Sequence, residues 1–346
     1  MSINRQQFLG AALAAAASLA APALRAQPVI TLRLHHFLPP QAPLPRDGLS
    51  QWAEKIQQDS QGRLRVQLFP AMQLGGRPAD LFDQTRHGVV DLSWTVLGYT
   101  PGRFPRTEVF ELPFSTGAAA QSSPALQAYV QAHAMQEFKD VHLIAVHTHG
   151  PGVFHSRRPI ARLQDVRGMK IRGGSRIINI MLEQLGAVAV GMPAPQVGEA
   201  LSKRVIDAAT LPWEVVPALR VQQIAKHHTG FGGDKGLYTQ TFALTMNKAR
   251  YESLPEDIRR VIDAHSGIGT ARFFGQVMDA ADLPGLQLAQ QARNQIITLD
   301  EAQTQQWRQA AQATREHWFK EVQARGIDGP ALAAQASQLI AQHARV

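Results

Sequence analysis

The chain has 346 residues, no cysteine and a formal net charge of +8, which excludes disulfides, thiol chemistry and cysteine-ligated metal sites. Its basic excess is spread out, with no Lys/Arg block interleaved with aromatics, so a nucleic-acid partner is not expected; a slight bias towards small anions is. A chain this long buries an adequate core without covalent staples, in one or two domains.

Residues 1–26 read as a secretory signal peptide. Arg5 supplies a positive start, 8–21 is uncharged and rich in Ala and Leu, and small residues at Ala21, Ala23 and Ala26 close it. Cleavage reads best after Ala26, which leaves Gln27 just ahead of the first strand-like run. A retained anchor is the alternative, but the apolar run is short of the ~20 residues a span needs. Losing Arg5 and Arg25 with the signal leaves a net charge of +6. No later stretch is long and apolar enough to cross a bilayer, so the mature protein is not expected to be embedded in a membrane.

In chain order, 29–34 alternates as a strand, 35–45 is a Pro-rich loop, and 48–58 is an amphipathic helix with Leu49, Trp52, Ala53 and Ile56 on one face. A strictly alternating strand at 63–69, a helix at 79–87 and a strand at 89–96 follow. This β-α-β-α-β order predicts an α/β fold with a mainly parallel sheet. A second block has a similar succession of elements, with strands at 141–147 and 168–172, a helix at 176–185, a strand at 188–190, a helix at 196–202 and a strand at 205–210. A helix is expected over 212–226. The long alternating strand 237–246 is placed to return to the first block, and the chain from 255 onward reads as mostly helical. The pattern predicts two α/β lobes joined as a hinged clamp around a cleft.

The most informative segment is 163–175, LQDVRGMKIRGGS. It places Arg172 at a strand end, followed at once by Gly173 and Gly174. A rigid, always-charged fork with small neighbours suits capture of a carboxylate or phosphate.

Seven stretches then match one family in order: 69–75 (FPAMQLG), 88–92 (GVVDL), 111–114 (ELPF), 165–172, 185–187 with Met192-Pro193, 199–201 with 205–207, and 254–257 (LPED). In these the chain resembles the periplasmic solute-binding proteins of tripartite ATP-independent periplasmic (TRAP) transporters, the DctP-like group. The resemblance implies a two-lobed periplasmic binding protein crossed by a long helix, with 27–149 plus 237–278 forming lobe I and 150–236 plus 279–346 forming lobe II. It further implies a carboxylate ligand held in two parallel hydrogen bonds by Arg172, and delivery to TRAP membrane permease subunits driven by an ion gradient.

Departures from the sialic-acid branch of that family narrow the ligand. Gly152 stands where that branch has an arginine, Leu211 where it has an asparagine, Val96 where it has an acid, and Ala208 where the family usually has glycine. Burying a sugar's hydroxyls against Leu and Val would cost ~1–3 kcal/mol each. Apolar and aromatic candidates replace them: Phe37 after the first strand, Trp94 and Tyr99 around the end of the third, and Trp213 after Pro212. The expected ligand is a compact aromatic or branched monocarboxylate, with His149, Ser175 or Thr210 available to meet a 2-oxo or 2-hydroxy group. Each aromatic also has a plain reading as core packing, and Trp94 alternates with Leu92 and Val96 on one strand face.

His147 and His149 lie two apart without a third metal ligand at suitable spacing, and His35-His36 and His227-His228 read as structural. Glu214 is placed to reach a ligand or a bridging cation. No cofactor or metal is expected. Nucleophile-elbow, phosphate-loop, zinc-protease and dinucleotide-binding motifs are lacking, so an enzyme is not expected. A receptor-linked ligand sensor and, further off, a secreted hydrolase are the alternatives.

Overall fold

The computed structural model describes residues 28–344; the expected signal peptide lies outside the described residues. Eleven strands form two sheets. The first uses β1 (Ile30–His36), β2 (Leu64–Phe69), β3 (Leu92–Val96), β4 (Val141–Thr148) and β10 (Thr241–Asn247), in the order β2-β1-β3-β10-β4. The second uses β5 (Val153–Ser156), β6 (Lys170–Gly173), β7 (Val188–Gly191), β8 (Ala208–Leu211), β9 (His227–Phe231) and β11 (Gln295–Leu299), in the order β11-β9-β5-β8-β6-β7. Helices flank both, which makes the chain a two-lobed α/β protein.

Sequence pattern explains the parallel part of each sheet. The alternation of β2 puts Leu64 and Val66 inward, and its register runs from Ile30 opposite Leu64 to His35 opposite Phe69. Strand β10, read from sequence as returning to the first block, inserts antiparallel between β3 and β4. Strand β5 does the same in the second sheet, between β8 and β9. The chain crosses between sheets after β4, between β9 and β10, and along the helix Ile268–Gln291. That helix packs on the helix Ala119–Tyr129 beside the first sheet and on the turn Trp213–Val215 beside the second. The first two crossings are bonded to each other: Gly152 N–H donates to Tyr238 O at 2.9 Å, and the Thr239 hydroxyl donates to His149 O at 2.8 Å.

Some expectations change. Residues 35–45 are not all loop, since β1 runs to His36 and Leu44–Leu49 is a helical turn. The helix expected over 212–226 does not form. Pro217 lacks the N–H a helix needs, Arg220 takes φ 56°, and only the turn Trp213–Val215 and the short helix Val221–Ile224 remain. Strands β5, β9 and β11 carry little alternation and become strands through pairing. The helix Gly329–His343, placed with lobe II by sequence, packs instead on Ala119–Tyr129, putting Leu332, Ala336 and Ile340 against Leu126 and Tyr129 of the first lobe. Among the described residues no helix is long and apolar enough to cross a membrane.

The lobes meet through specific bonds. Tyr99 Oη, from the first, accepts from Ala194 N–H of the second at 2.9 Å, and Gln240 Nε2 donates to Gly174 O at 2.7 Å. Arg176, opening a second-lobe helix, donates to both oxygens of Glu108 and also pairs with Glu321.

Candidate functional site

Arg172 is the last residue but one of strand β6, and the short parallel pairing with β7 and β8 fixes its backbone. The side chain is fully buried, at 0 % exposure. Its Nε donates to Met192 O and its Nη1 to Thr210 O, both at 2.9 Å, while Nη2 is buried with no hydrogen-bond partner. No carboxylate pairs with it among the described residues. The stem is thus braced by main chain, and the outer fork is left with unused donors. Gly174 keeps that fork clear: a Cβ there would lie 2.7 Å from Arg172 Nη2 and 2.4 Å from Gln240 Oε1.

A slot lies along the interlobe seam, lined in part by Phe37, Trp94, Val96, Tyr99, Leu211 and Phe242. Phe37 stacks on Trp94 at 4.9 Å and 11°, Trp94 lies parallel to Phe242 at 5.3 Å, and Tyr99 meets Phe37 edge-on at 5.4 Å. Trp94 Nε1 donates to His147 Nε2 at 2.8 Å, so the His147 proton sits on Nδ1 and is donated to Thr148 O at 3.1 Å. Burial pushes His147 down to about 3 and keeps it neutral.

The slot shares a lining residue with each of two larger spaces. Glu214 lines both the slot and an outer vestibule of about 470 Å³, and Tyr99 lines both the slot and a recess of about 300 Å³ beside Gly174 and Met192. The slot itself has about 20 Å³, room for a single water-sized molecule. A six-membered ring enters it only when the lobes part or its side chains move. The Tyr99 hydroxyl accepts from Ala194 and keeps its proton to donate. Burial raises its pKa, and the nearby Arg172 charge partly offsets the rise.

Of the residues picked from sequence, Phe37, Trp94, Tyr99 and His149 line the slot, and Arg172 stands beside Tyr99. His149 has both ring nitrogens engaged: Nε2 accepts from Gln240 N–H at 3.1 Å, and Nδ1 donates to Gly150 O at 2.5 Å. Burial lowers its pKa to about 4, so the neutral ring is a wall and not a charge. Thr210 braces Arg172, its hydroxyl donating to Arg172 O at 3.0 Å while its carbonyl accepts from Nη1. Ser175 caps the helix Arg176–Gln184, accepting from Ile178 N–H at 3.3 Å.

Trp213 is not brought into the slot. Its ring packs on His155 of β5 at 5.1 Å and His228 of β9 at 5.0 Å, two inner strands of the second sheet, while Glu214 and Val215 of the turn that replaces the expected helix line the slot. Phe242 and Gln240 escaped the sequence reading. Their signal was the period-two set Tyr238, Gln240 and Phe242 on the returning segment. Val96 and Leu211, picked as departures, do line the slot. A Cβ on Gly152 would lie 2.1 Å from Tyr238 Cε1, so the place of the absent arginine is filled by the tyrosine ring.

The sequence profile described as "Bacterial extracellular solute-binding protein, family 7" matches residues 34–321. A TRAP solute-binding protein from Rhodoferax ferrireducens, solved with copurified benzoate, is 43% identical, with a TM-score of 0.90 over 92% of this chain and 99% of that one. A marine-metagenome TRAP solute-binding protein specific for aromatic acid ligands, solved with 3-hydroxybenzoate, is 42% identical, with a TM-score of 0.90 over 91% and 99%. A Bordetella bronchiseptica TRAP periplasmic protein with bound (R)- and (S)-mandelate is 30% identical, with a TM-score of 0.83 over 90% and 99%.

Proposed function

The chain belongs to family 7 of the bacterial extracellular solute-binding proteins, and we propose that it captures an aromatic monocarboxylate, holds the carboxylate in a bidentate pair with Arg172, and delivers it to a TRAP membrane permease. The carrying observation is a fully buried arginine with unused donors and no acidic partner among the described residues, next to a slot walled by Phe37, Trp94 and Phe242. Burying such a charge costs several kcal/mol unless an anion pairs with it. A ligand carboxylate supplies that anion, and a flat ring matches the parallel rings of the slot.

The relatives point the same way, since those solved with benzoate, 3-hydroxybenzoate and mandelate all hold aromatic carboxylates. The side chains first considered for a 2-oxo or 2-hydroxy group are engaged within the protein: His149 at both nitrogens, Thr210 with Arg172, Ser175 as a helix cap. This favours an aromatic acid without a 2-oxo or 2-hydroxy group, with the Tyr99 O–H as the added donor. On this reading the protein acts in the periplasm, exported by a signal cleaved near Ala26, and releases its ligand unchanged. Two lobes that touch one ligand from both sides close on it by hinge motion.

Thermal-shift screening of the protein from residue 27 onward against an organic-acid library tests the proposal. Benzoate-type acids should raise the melting temperature. Hits confined to sialic acids or C4-dicarboxylates would overturn it.

A further inference from the structure

We infer that the Glu214 carboxyl is a specificity determinant: it hydrogen-bonds a polar substituent, a hydroxyl above all, on the ring end remote from the ligand's carboxylate, in a slot that rejects a second carboxylate there. The inference rests on the reading just given, because it takes the ring to lie in the slot with its carboxylate at Arg172.

Three observations carry it. The first is position. Slot and recess share Tyr99, beside Arg172, whereas slot and vestibule share Glu214. A ring anchored at the Tyr99 end therefore presents its far edge to Glu214. The second is the state of the carboxyl. Glu214 is 3 % exposed, yet its side chain has no hydrogen-bond or salt-bridge partner among the described residues. The arginine of the vestibule wall, Arg46, is tied to Asp47 at 2.8 and 2.6 Å. An unpartnered buried carboxyl that lines two cavities is a group built to meet something that arrives.

The third observation is that Glu214 is held in place. Its backbone N–H donates to Asp282 Oδ1 at 2.9 Å, from the helix that crosses both lobes. Burial, and then the Asp282 carboxylate, push the Glu214 pKa well above its ordinary value. A protonated carboxyl both donates and accepts, which matches a phenolic hydroxyl. A ligand carboxylate at that end would lose its water with no Lys or Arg in the slot lining to pair with it, and an unpaired buried charge costs several kcal/mol. The slot's other walls at this end, Leu211, Pro212 and Val215, offer no side-chain donor or acceptor.

The test is calorimetry on the protein from residue 27 onward with benzoate, 3-hydroxybenzoate, 4-hydroxybenzoate, isophthalate and terephthalate. In wild type, one of the two hydroxybenzoates should bind about tenfold tighter than benzoate, as one added buried hydrogen bond gives. The two dicarboxylates should bind at least about a hundredfold more weakly than benzoate. Glu214→Leu should tighten benzoate and weaken the preferred hydroxybenzoate, inverting the order. Glu214→Gln, nearly isosteric and safe for folding, should keep both the hydroxyl preference and the exclusion of dicarboxylates, since the amide also donates and accepts. A hydroxybenzoate-to-benzoate ratio unmoved by either substitution overturns the role of Glu214 while leaving aromatic-acid capture intact. Failure of all five acids to bind wild type overturns both.

Discussion

Replacing Arg172 by methionine separates affinity from stability. Methionine keeps most of the apolar stem and removes the fork. Without ligand, two effects oppose each other. Met192 O and Thr210 O lose the donors that satisfy them at 2.9 Å, at ~1–3 kcal/mol for each carbonyl left dry. A buried charge without an acidic partner is also removed, and apolar replacement of buried ions is often neutral or stabilising by ~1–4 kcal/mol. Folding stability should therefore change by an amount between ~2 kcal/mol gained and ~5 kcal/mol lost. With ligand, the loss is one-sided. The fork offers two charge-assisted hydrogen bonds, worth ~1.5–3 kcal/mol each, so Kd for benzoate should rise roughly 10²- to 10⁴-fold. Arg172→Lys keeps the charge but not the planar fork, and should fall between, about 10- to 100-fold weaker. Calorimetry with benzoate gives Kd, and urea unfolding gives stability. A folded Arg172→Met protein that binds benzoate within threefold of wild type refutes the reasoning.

Two further outcomes follow from the fold. A Cβ at Gly152 would sit 2.1 Å from Tyr238 Cε1; Gly152→Ala should destabilise by ~1–3 kcal/mol in urea unfolding, with Tyr238→Leu in the same chain recovering part of it, whereas independent losses would show the two do not share that space. His155 Nε2 donates to Leu211 O, so its Nδ1 accepts from His228 Nδ1 at 2.7 Å, and His228 Nε2 accepts from Asn294 at 3.0 Å, which keeps both rings neutral. Burial lowers His228 to about 4, so the unfolded chain takes up its proton near the ordinary 6.5 while the native chain does not. The stability this histidine contributes is present above pH 6.5 and lost as pH falls towards about 4, by about 3 kcal/mol in all. Glu111, Glu137 and Asp282, raised to about 7 by burial, titrate with the opposite sign. The effect is therefore read as a difference: the stability gap between wild type and His228→Asn should shrink from pH 7 to pH 4.5, and a constant gap contradicts it.

Much of the architecture was legible because it rests on local periodicity. The alternation at 63–69 and 237–246 produced β2 and β10, and the strand-end position of Arg172 was readable from the segment around it. What escaped depends on distant partners. Whether Trp213 faced the ligand turned on Pro217 and on the left-handed Arg220, which stop a helix that hydrophobic spacing alone would continue. Gly152 read as a missing arginine; that a tyrosine fills its place needed the crossing that bonds Gly152 to Tyr238. The final helix carried no mark of which lobe it would join, since an apolar face matches any apolar partner of similar shape. The acid between slot and vestibule was noticed beside Trp213, but its isolation from donors among the described residues is a fact of three dimensions.

The bracing of Arg172 has a consequence for how such a protein changes its ligand. The guanidinium is steadied by two peptide carbonyls, at Met192 and Thr210, and every residue type supplies a carbonyl. The side chain at 192 can therefore drift without disturbing the handle, whereas Thr210 also donates its hydroxyl to Arg172 O. On the proposed reading the ring, by contrast, meets side chains alone, and the slot draws those from both lobes: Phe37, Trp94 and Phe242 from one, Leu211 and Glu214 from the other. On that reading, inheritance of the carboxylate grip is uncoupled from inheritance of the preference for a tail. A lineage can exchange one acid for another by single substitutions along the slot while never passing through a form that has lost its hold on acids.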